Sequence, residues 1–223
     1  MVFCCDPKQP YAEICGTVLA PQAVLLHSDT CYFGVRFLPG YNPVLGSSEI
    51  MSQLVNHQIP LDELIQDRRM LEGICGTTDF RKQIRAFMRS YMNIYRRACP
   101  MEHSNLLVLH SSNLLIRSAG SISIEQLAED TGYTARYIDR CFRNETGLSP
   151  KQLAKIVRFQ AAVSALNQNQ HKGRSLTEIA ADLGYFDQSH FVHDFKAYTG
   201  LTPKKYQKLL LHDSFEEKLR IVQ

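Results

Sequence analysis

The pattern of apolar and polar positions is most regular over residues 175–204, SLTEIAADLGYFDQSHFVHDFKAYTGLTPK, and the rest of the chain is organised around it. Ser175 stands as a candidate N-cap, Ile179, Ala180 and Leu183 make one apolar face, and Gly184 sits where a helix ends in the left-handed conformation. A second amphipathic run begins near Asp187, sets Phe191 and Phe195 four apart on one face, and stops at Gly200 before Thr202-Pro203. Two short helices joined by a tight glycine turn predict a helix-turn-helix unit.

The same phrase occurs over residues 121–151. Leu127-Ala128, Asp130, Gly132-Tyr133, Phe142, Thr146-Gly147-Leu148 and Pro150-Lys151 repeat as Ile179-Ala180, Asp182, Gly184-Tyr185, Phe195, Thr199-Gly200-Leu201 and Pro203-Lys204. The offset is 52 before the second helix of the unit and 53 after it, so one residue is gained, expected inside that helix's first turn. A generic amphipathic hairpin has no need of the same Gly, Thr-Gly-Leu and Pro-Lys, so the chain carries two copies of one unit. Between them residues 152–167 predict a linker helix, with Leu153, Ile156, Val157, Ala161, Val163 and Ala165 offering apolar surface to both.

The first half reads differently. Val2–Cys5, Gly16–Leu19, Val24–Leu26 and Cys31–Phe37 read as short strands between Pro, Asp, Ser and Gly clusters, a small sheet with one covered face. Arg36, on the polar side of the last strand before Pro39-Gly40, is either an anion ligand or a solvated strand residue. Residues 78–97 predict a helix in which Phe80, Ile84, Phe87, Met88, Tyr91 and Tyr95 recur at helical spacing among Arg81, Lys82, Arg85, Arg89, Arg96 and Arg97. It packs on the sheet with a solvated basic face, or it joins two chains through Phe87, Met88 and Tyr91. Pro100 disfavours helix at Cys99 and places a domain boundary near 98–104. Leu106, Leu107, His110, Leu114 and Leu115 then predict a helix under the first unit, and the tail from Ser214 is a further helical candidate without an assigned role.

The tandem units resemble the DNA-binding domain of the AraC/XylS transcription regulators over about residues 103–210, most closely in the I-A-x-x-x-G-Y-x-D-x-S-x-F-x-x-x-F-K-x-x-T-G-x-T-P run from Ile179 to Pro203. The V-R-F-L-P-G segment, Val35 to Gly40, with a helical stretch near Glu49–Val55 and a Pro60-Leu61 turn, resembles the N-terminal domain of some such regulators. The expected fold is α+β. A small β-rich regulatory or oligomerisation domain, 1–100, precedes an all-α DNA-binding domain, 103–212, with units at about 123–148 and 175–201. The resemblance implies double-stranded DNA and RNA polymerase as partners, activation of transcription, and an N-terminal half that binds an effector of unknown identity or joins two chains in a homodimer. It implies no cofactor and no catalytic residue.

Composition adds to this in three places. Residues 111–212 hold 13 basic against 9 acidic side chains while residues 1–110 hold 10 of each, so the excess positive charge sits with the repeats, as phosphate binding requires. No run approaches 18 apolar residues and the first ten lack a signal-peptide pattern, so the expectation is a cytoplasmic, nucleoid-associated bacterial protein without a membrane segment. The seven cysteines are scattered with no C-x-x-C pair; they are buried thiols, or Cys4, Cys5, Cys15 and Cys31 sense redox state or a metal.

In a helix-turn-helix the second helix enters the major groove with its N-terminal turns on base edges. In the first unit Ile138, Cys141 and Phe142 form the packing face, leaving Ala135, Arg136, Asp139, Arg140 and Arg143 outward. Ala135, Arg136 and Arg140 are the base-reading candidates and Arg143 a phosphate contact. In the second unit Gln188, Ser189, Val192 and His193 are the base-reading candidates, while Asp187 is better suited to capping. Family members often carry a Ser-Arg pair where Val192-His193 stand, which removes a permanent cation, so the second unit binds more weakly or reads a thymine methyl and one acceptor instead of a guanine, and the first unit is expected to dominate affinity. Lys151, Lys196, Lys204 and Lys205 are placed for phosphates. The linker of sixteen residues spans about 24 Å at a rise of about 1.5 Å each, comparable with the ~34 Å between successive major grooves on one face. Two rival readings are an architectural protein with little sequence preference, and a DNA-repair enzyme fused to such a domain. The absence of paired Cys spacing and of H-E-x-x-H, P-loop or G-x-G-x-x-G patterns argues against the enzyme.

Overall fold

The computed structural model describes residues 1–21, 24, 26–27, 29–38, 53–65, 68–97, 103–169 and 173–211. Pro39-Gly40, residues 49–52, Cys99-Pro100 and the tail from Ser214 lie outside them. Four strands, β1 (Val2–Cys5), β2 (Tyr11–Cys15), β3 (Cys31–Gly34) and β4 (Gln58–Pro60), are followed by α1 (Leu61–Leu64), α2 (Arg69–Cys75), α3 (Phe80–Arg97), α4 (His103–Arg117), α5 (Ile124–Thr131), α6 (Ala135–Thr146), α7 (Pro150–Gln168), α8 (Leu176–Asp182), α9 (Gln188–Thr199) and α10 (Pro203–Leu211). The architecture is α+β, a small sheet with helices followed by an all-helical region. Two compact units comprise Met1–Thr17, Leu25–Leu109 and Arg140–Leu148, and Val18–Val24, His110–Asp139 and Ser149–Gln223.

In the first unit the sheet order is β3-β1-β2-β4, antiparallel throughout, with Phe3 opposite Phe33 and Ala12, and Ile14 opposite Ile59. β1 and the start of β3 lie where the alternation predicts them. The strands expected at 16–19 and 24–26 do not form among the described residues; β2 and β4 form instead, β2 pairing with β1 across a short connection and β4 with β2 from more than forty residues away in the chain. Alternation in so short a segment cannot identify a strand whose partner is remote. The proposed Pro60-Leu61 turn is instead the passage from β4 into α1.

The core of this unit gathers Phe3, Ile14, Phe33, Leu54, Leu61, Met70, Ile74 and Phe87. Phe3 packs edge-on against Phe87 at 6.3 Å, and Phe87 stacks on Tyr91 at 5.3 Å. This corrects the reading of α3. Phe87, 6% exposed, is a core residue and is not available to a second chain; Tyr91 is half-buried beside it, and only Met88, at 50%, faces outward. The helix also reverses its expected polarity at one turn. Gln83 is 3% exposed, donating from Nε2 to the Ile74 and Thr77 carbonyls, while Ile84 is exposed. The amide satisfies carbonyls at the end of α2 that would otherwise be buried unpaired.

In the second unit the expected caps hold. Ser175 accepts from the Glu178 backbone N–H and completes a capping box, and Gly200 ends α9 in the left-handed conformation. Ser123 with Gln126 and Ser149 with Gln152 form the same box at α5 and α7. α7 extends the predicted linker by two residues at its start, with Pro150 at its first position. It packs against α8, α9 and α10 around a core that includes Ala162, Leu166, Ile179, Phe191, Phe195 and Tyr206. α4 departs from its predicted face: Leu107 and Leu115 are buried as expected, but Leu106 and His110 face outward, and Ser111 and Ser112 are buried in their stead.

Candidate nucleic-acid interface

Both second helices bury the face that their spacing demands. Ile138, Cys141 and Phe142 of α6 are buried, as are Phe191 and Phe195 of α9. The other faces carry the candidate readers. Ala135, Arg136, Arg140 and Arg143 are exposed on α6, with Asp139 half-buried among them. On α9 Gln188, Ser189, His193 and Lys196 are exposed and Val192 is half-buried. Lys151 at the start of α7 and Lys204 and Lys205 at the start of α10 are exposed.

The N-terminus of α9 is held by two polar contacts. Asp187 caps the helix, its carboxylate accepting from the His190 backbone N–H at 2.7 Å. Thr177, in the first turn of α8, donates its hydroxyl to Gln188 Oε1 at 2.7 Å. That bond fixes the Gln188 side chain and leaves its amide NH₂ as the donor to offer a base acceptor. Asp194, half-buried on the same helix, lies 3.6 Å from His190 and 4.0 Å from His193. The Thr177 contact was not legible from helical spacing, which relates residues on one helix and not across two, whereas the His190–Asp194 pair, four apart on α9, is of the kind that spacing allows.

The turns of the two units differ by the residue that the changing offset implies, and its place is a correction. From Gly132 to the N-cap position of α6, Thr134, there is one intervening residue, Tyr133; from Gly184 to the cap Asp187 there are two, Tyr185 and Phe186. The gain therefore lies in the turn and not inside the helix. Its consequence is a division of labour, because successive side chains of a non-helical segment leave the backbone on opposite sides. Tyr185 is 6% exposed, with its ring 5.2 Å from Phe191 and 5.4 Å from the Arg158 guanidinium, and burial, then the nearby Asp194, pushes its phenol up to about 12. Phe186 is 94% exposed. In the shorter turn Tyr133 is 45% exposed and stacks on Tyr137 at 5.1 Å.

Arg158, from the middle of α7, also donates through Nη2 to the Gly120 carbonyl at 2.6 Å, so one side chain of the linker touches both the entry to the first unit and the turn of the second. An open groove lined by Ser118, Ser121, Ile122, Gln126, Glu129 and Asp130 lies beside α5. Its carboxylates would repel a phosphate, which sets it apart from the basic helix faces.

Two of the candidate sensor thiols, Cys5 and Cys15, and the nearby Cys75 are held in their protonated form. Burial pushes Cys5 and Cys15 up, and burial with the neighbouring Cys5 pushes Cys75 up to about 12, away from the thiolate form that reacts with oxidants and metals.

A family described as a helix-turn-helix domain matches residues 127–209. An uncharacterized HTH-type transcriptional regulator of Haemophilus influenzae is 38% identical over 85 residues, 38% of this chain and 28% of that protein. The HTH-type transcriptional activator AarP of Providencia stuartii is 29% identical over 104 residues, 47% of this chain and 72% of AarP. The XylDLEGF operon transcriptional activator of Pseudomonas putida is 29% identical over 83 residues, 37% of this chain and 26% of that protein. The match thus takes in about a quarter of the length of the first and third of these relatives. The tandem helix-turn-helix region of the chain, residues 127–209, is thus similar to the helix-turn-helix domains of these transcription regulators, in keeping with its resemblance to the AraC/XylS regulators.

Proposed function

We propose that the chain is a sequence-specific regulator of transcription in which α6 and α9 read adjacent major grooves of double-stranded DNA. The observation that carries this is the repeated unit itself: two second helices, each burying an aromatic face and presenting polar or cationic side chains from its first turns. Arg136 and Arg140 supply forked donors for guanine O6 and N7, with Ala135 leaving room for close approach. Gln188, with Ser189, Val192 and His193, reads the second groove, where the amide NH₂ left by the Thr177 contact seeks an acceptor. Arg143, Lys151, Lys196, Lys204 and Lys205 hold phosphates. α7 spans about 28 Å at 1.5 Å per residue over its nineteen residues, of the order of one groove repeat.

Activation follows by analogy with the relatives named activators, while contact with RNA polymerase and a cytoplasmic setting rest on the resemblance to the AraC/XylS regulators alone. Self-association, if it uses α3, runs through Met88 and its exposed neighbours Ile84 and Met92 and not through Phe87. Control by an effector rests on the resemblance of the first half alone.

The test is selection of bound duplexes from a random pool with the full chain, followed by affinities for the selected and random sequences across a salt series. A recovered motif bound at least a hundredfold more tightly than random DNA is the expected result. Equal affinities with a common salt slope would instead establish the architectural reading.

A further inference from the structure

Phe186 has no role in the fold and none in the reading above. It is the most exposed of the chain's exposed large hydrophobic residues among those described, more so than Phe80 at 64%. It occupies the residue that the second turn has gained over the first, immediately before the cap Asp187 and two before Gln188, the first residue of the reading helix. A residue at that place lies at the end of the helix that meets base edges. A phenyl ring offers no donor for a phosphate, and aromatic wedges enter through the minor groove, not the major. The one apolar group on the major-groove edge of a base pair is the C5-methyl of thymine.

From this we propose that Phe186 contacts a thymine methyl in the major groove, giving the second unit an apolar reader in addition to Val192, beside the polar Gln188. The proposal rests on the DNA-binding reading and adds a base and an atom to it. It also accounts for how the second unit discriminates with fewer cations than the first: the gained residue turns Tyr185 inward to complete the core and delivers the next ring to the groove.

The experiment uses the full chain and its selected duplex. Each thymine under the second unit is replaced in turn by deoxyuridine, which removes the methyl and leaves the base pair otherwise unchanged. The unsubstituted protein is expected to lose about fourfold in affinity at one such position, the size of effect for one methyl group returned to water. Phe186→Leu, which keeps an apolar side chain, should retain that sensitivity, whereas Phe186→Ser should bind the thymine and uracil duplexes equally. Because the side chain is exposed, both variants should melt with the parent. Methyl sensitivity in Phe186→Ser at every position where the parent shows it, or no position sensitive to the methyl, would overturn the contact while leaving the regulator reading in place. Failure to select any sequence would remove that reading first, and this one with it.

Discussion

Gly120 and Gly132 share a backbone conformation and differ in their surroundings, so a paired substitution separates strain from crowding. Gly120 has φ +74° and Gly132 φ +73°, both in the left-handed region that costs a residue with a Cβ about 1 kcal/mol or somewhat more. At Gly132 an added Cβ would meet nothing within 4 Å, so Gly132→Ala should cost about 1 kcal/mol and no more. At Gly120 it would run into the Ala154 carbonyl oxygen and come within 3.1 Å of Ala154 C and Arg158 N, all backbone of α7, which cannot rotate away. Displacing the loop costs a further ~1–3 kcal/mol as overpacking. It also stretches the 2.6 Å bond from Arg158 to the Gly120 carbonyl, a charge-assisted bond of about 1.5–3 kcal/mol. Because that bond is stretched and not broken, only part of its energy is lost, and Gly120→Ala should cost about 3–5 kcal/mol. Urea denaturation followed by circular dichroism reads the difference: with a slope of about 2 kcal/mol per molar, the midpoint should fall by about 0.5 M for Gly132→Ala and by about 1.5–2.5 M for Gly120→Ala. Equal shifts would show that α7 does not approach Gly120 closely, and the tie between linker and first unit would have to be abandoned.

Phe87→Ala should cost about 3–5 kcal/mol, the loss for a ring removed from a packed core, while Met88→Glu on the exposed face should change stability by no more than about 0.5 kcal/mol; comparable melting shifts for the two would refute the assignment of their faces. Tyr185 predicts alkaline sensitivity. Its folded pKa of about 12 lies above the ordinary tyrosine value of 10.0, so the folded state holds the proton that the unfolded chain releases, and the stability present below pH 10 is lost as pH rises towards 12, by roughly 1.4 kcal/mol at pH 11. Tyr185→Phe should flatten that part of the pH–stability curve, and an unchanged slope would place the titration elsewhere. Arg136→Ala should weaken the selected duplex by about tenfold or more and random DNA by less, whereas Lys204→Ala should weaken both alike and lower the salt slope by about one unit; the opposite pattern, read by titration of labelled duplexes, would exchange the two roles.

What the sequence by itself determined is the helical half, and the reason is the range of the interactions. A capping box joins a serine to a residue three further on, a left-handed glycine ends a helix by its own backbone, and Phe191 and Phe195 meet their neighbours because they are one turn apart. Each of these is complete within a few residues, so Ser175, Asp187, Gly200 and the buried faces of α6 and α9 could be placed from spacing alone. The change of offset between the units also held the signal for Phe186, but whether the gained residue extends a turn or a helix depends on where the first unit's second helix is capped, and Thr134 settled that only in three dimensions. Tertiary structure alone decided the rest. β2 pairs with β4 across a long excursion of chain, and no local pattern contains that partner. On α3 apolar residues occur on more than one side, and it is the position of the sheet that buries Phe87, draws Gln83 inward to satisfy carbonyls and leaves Ile84 and Met88 outside. Thr177 with Gln188, and Arg158 with Gly120 and Tyr185, are pairs between separate helices and turns, brought within hydrogen-bonding or ring distance only by the packing of α7, α8 and α9.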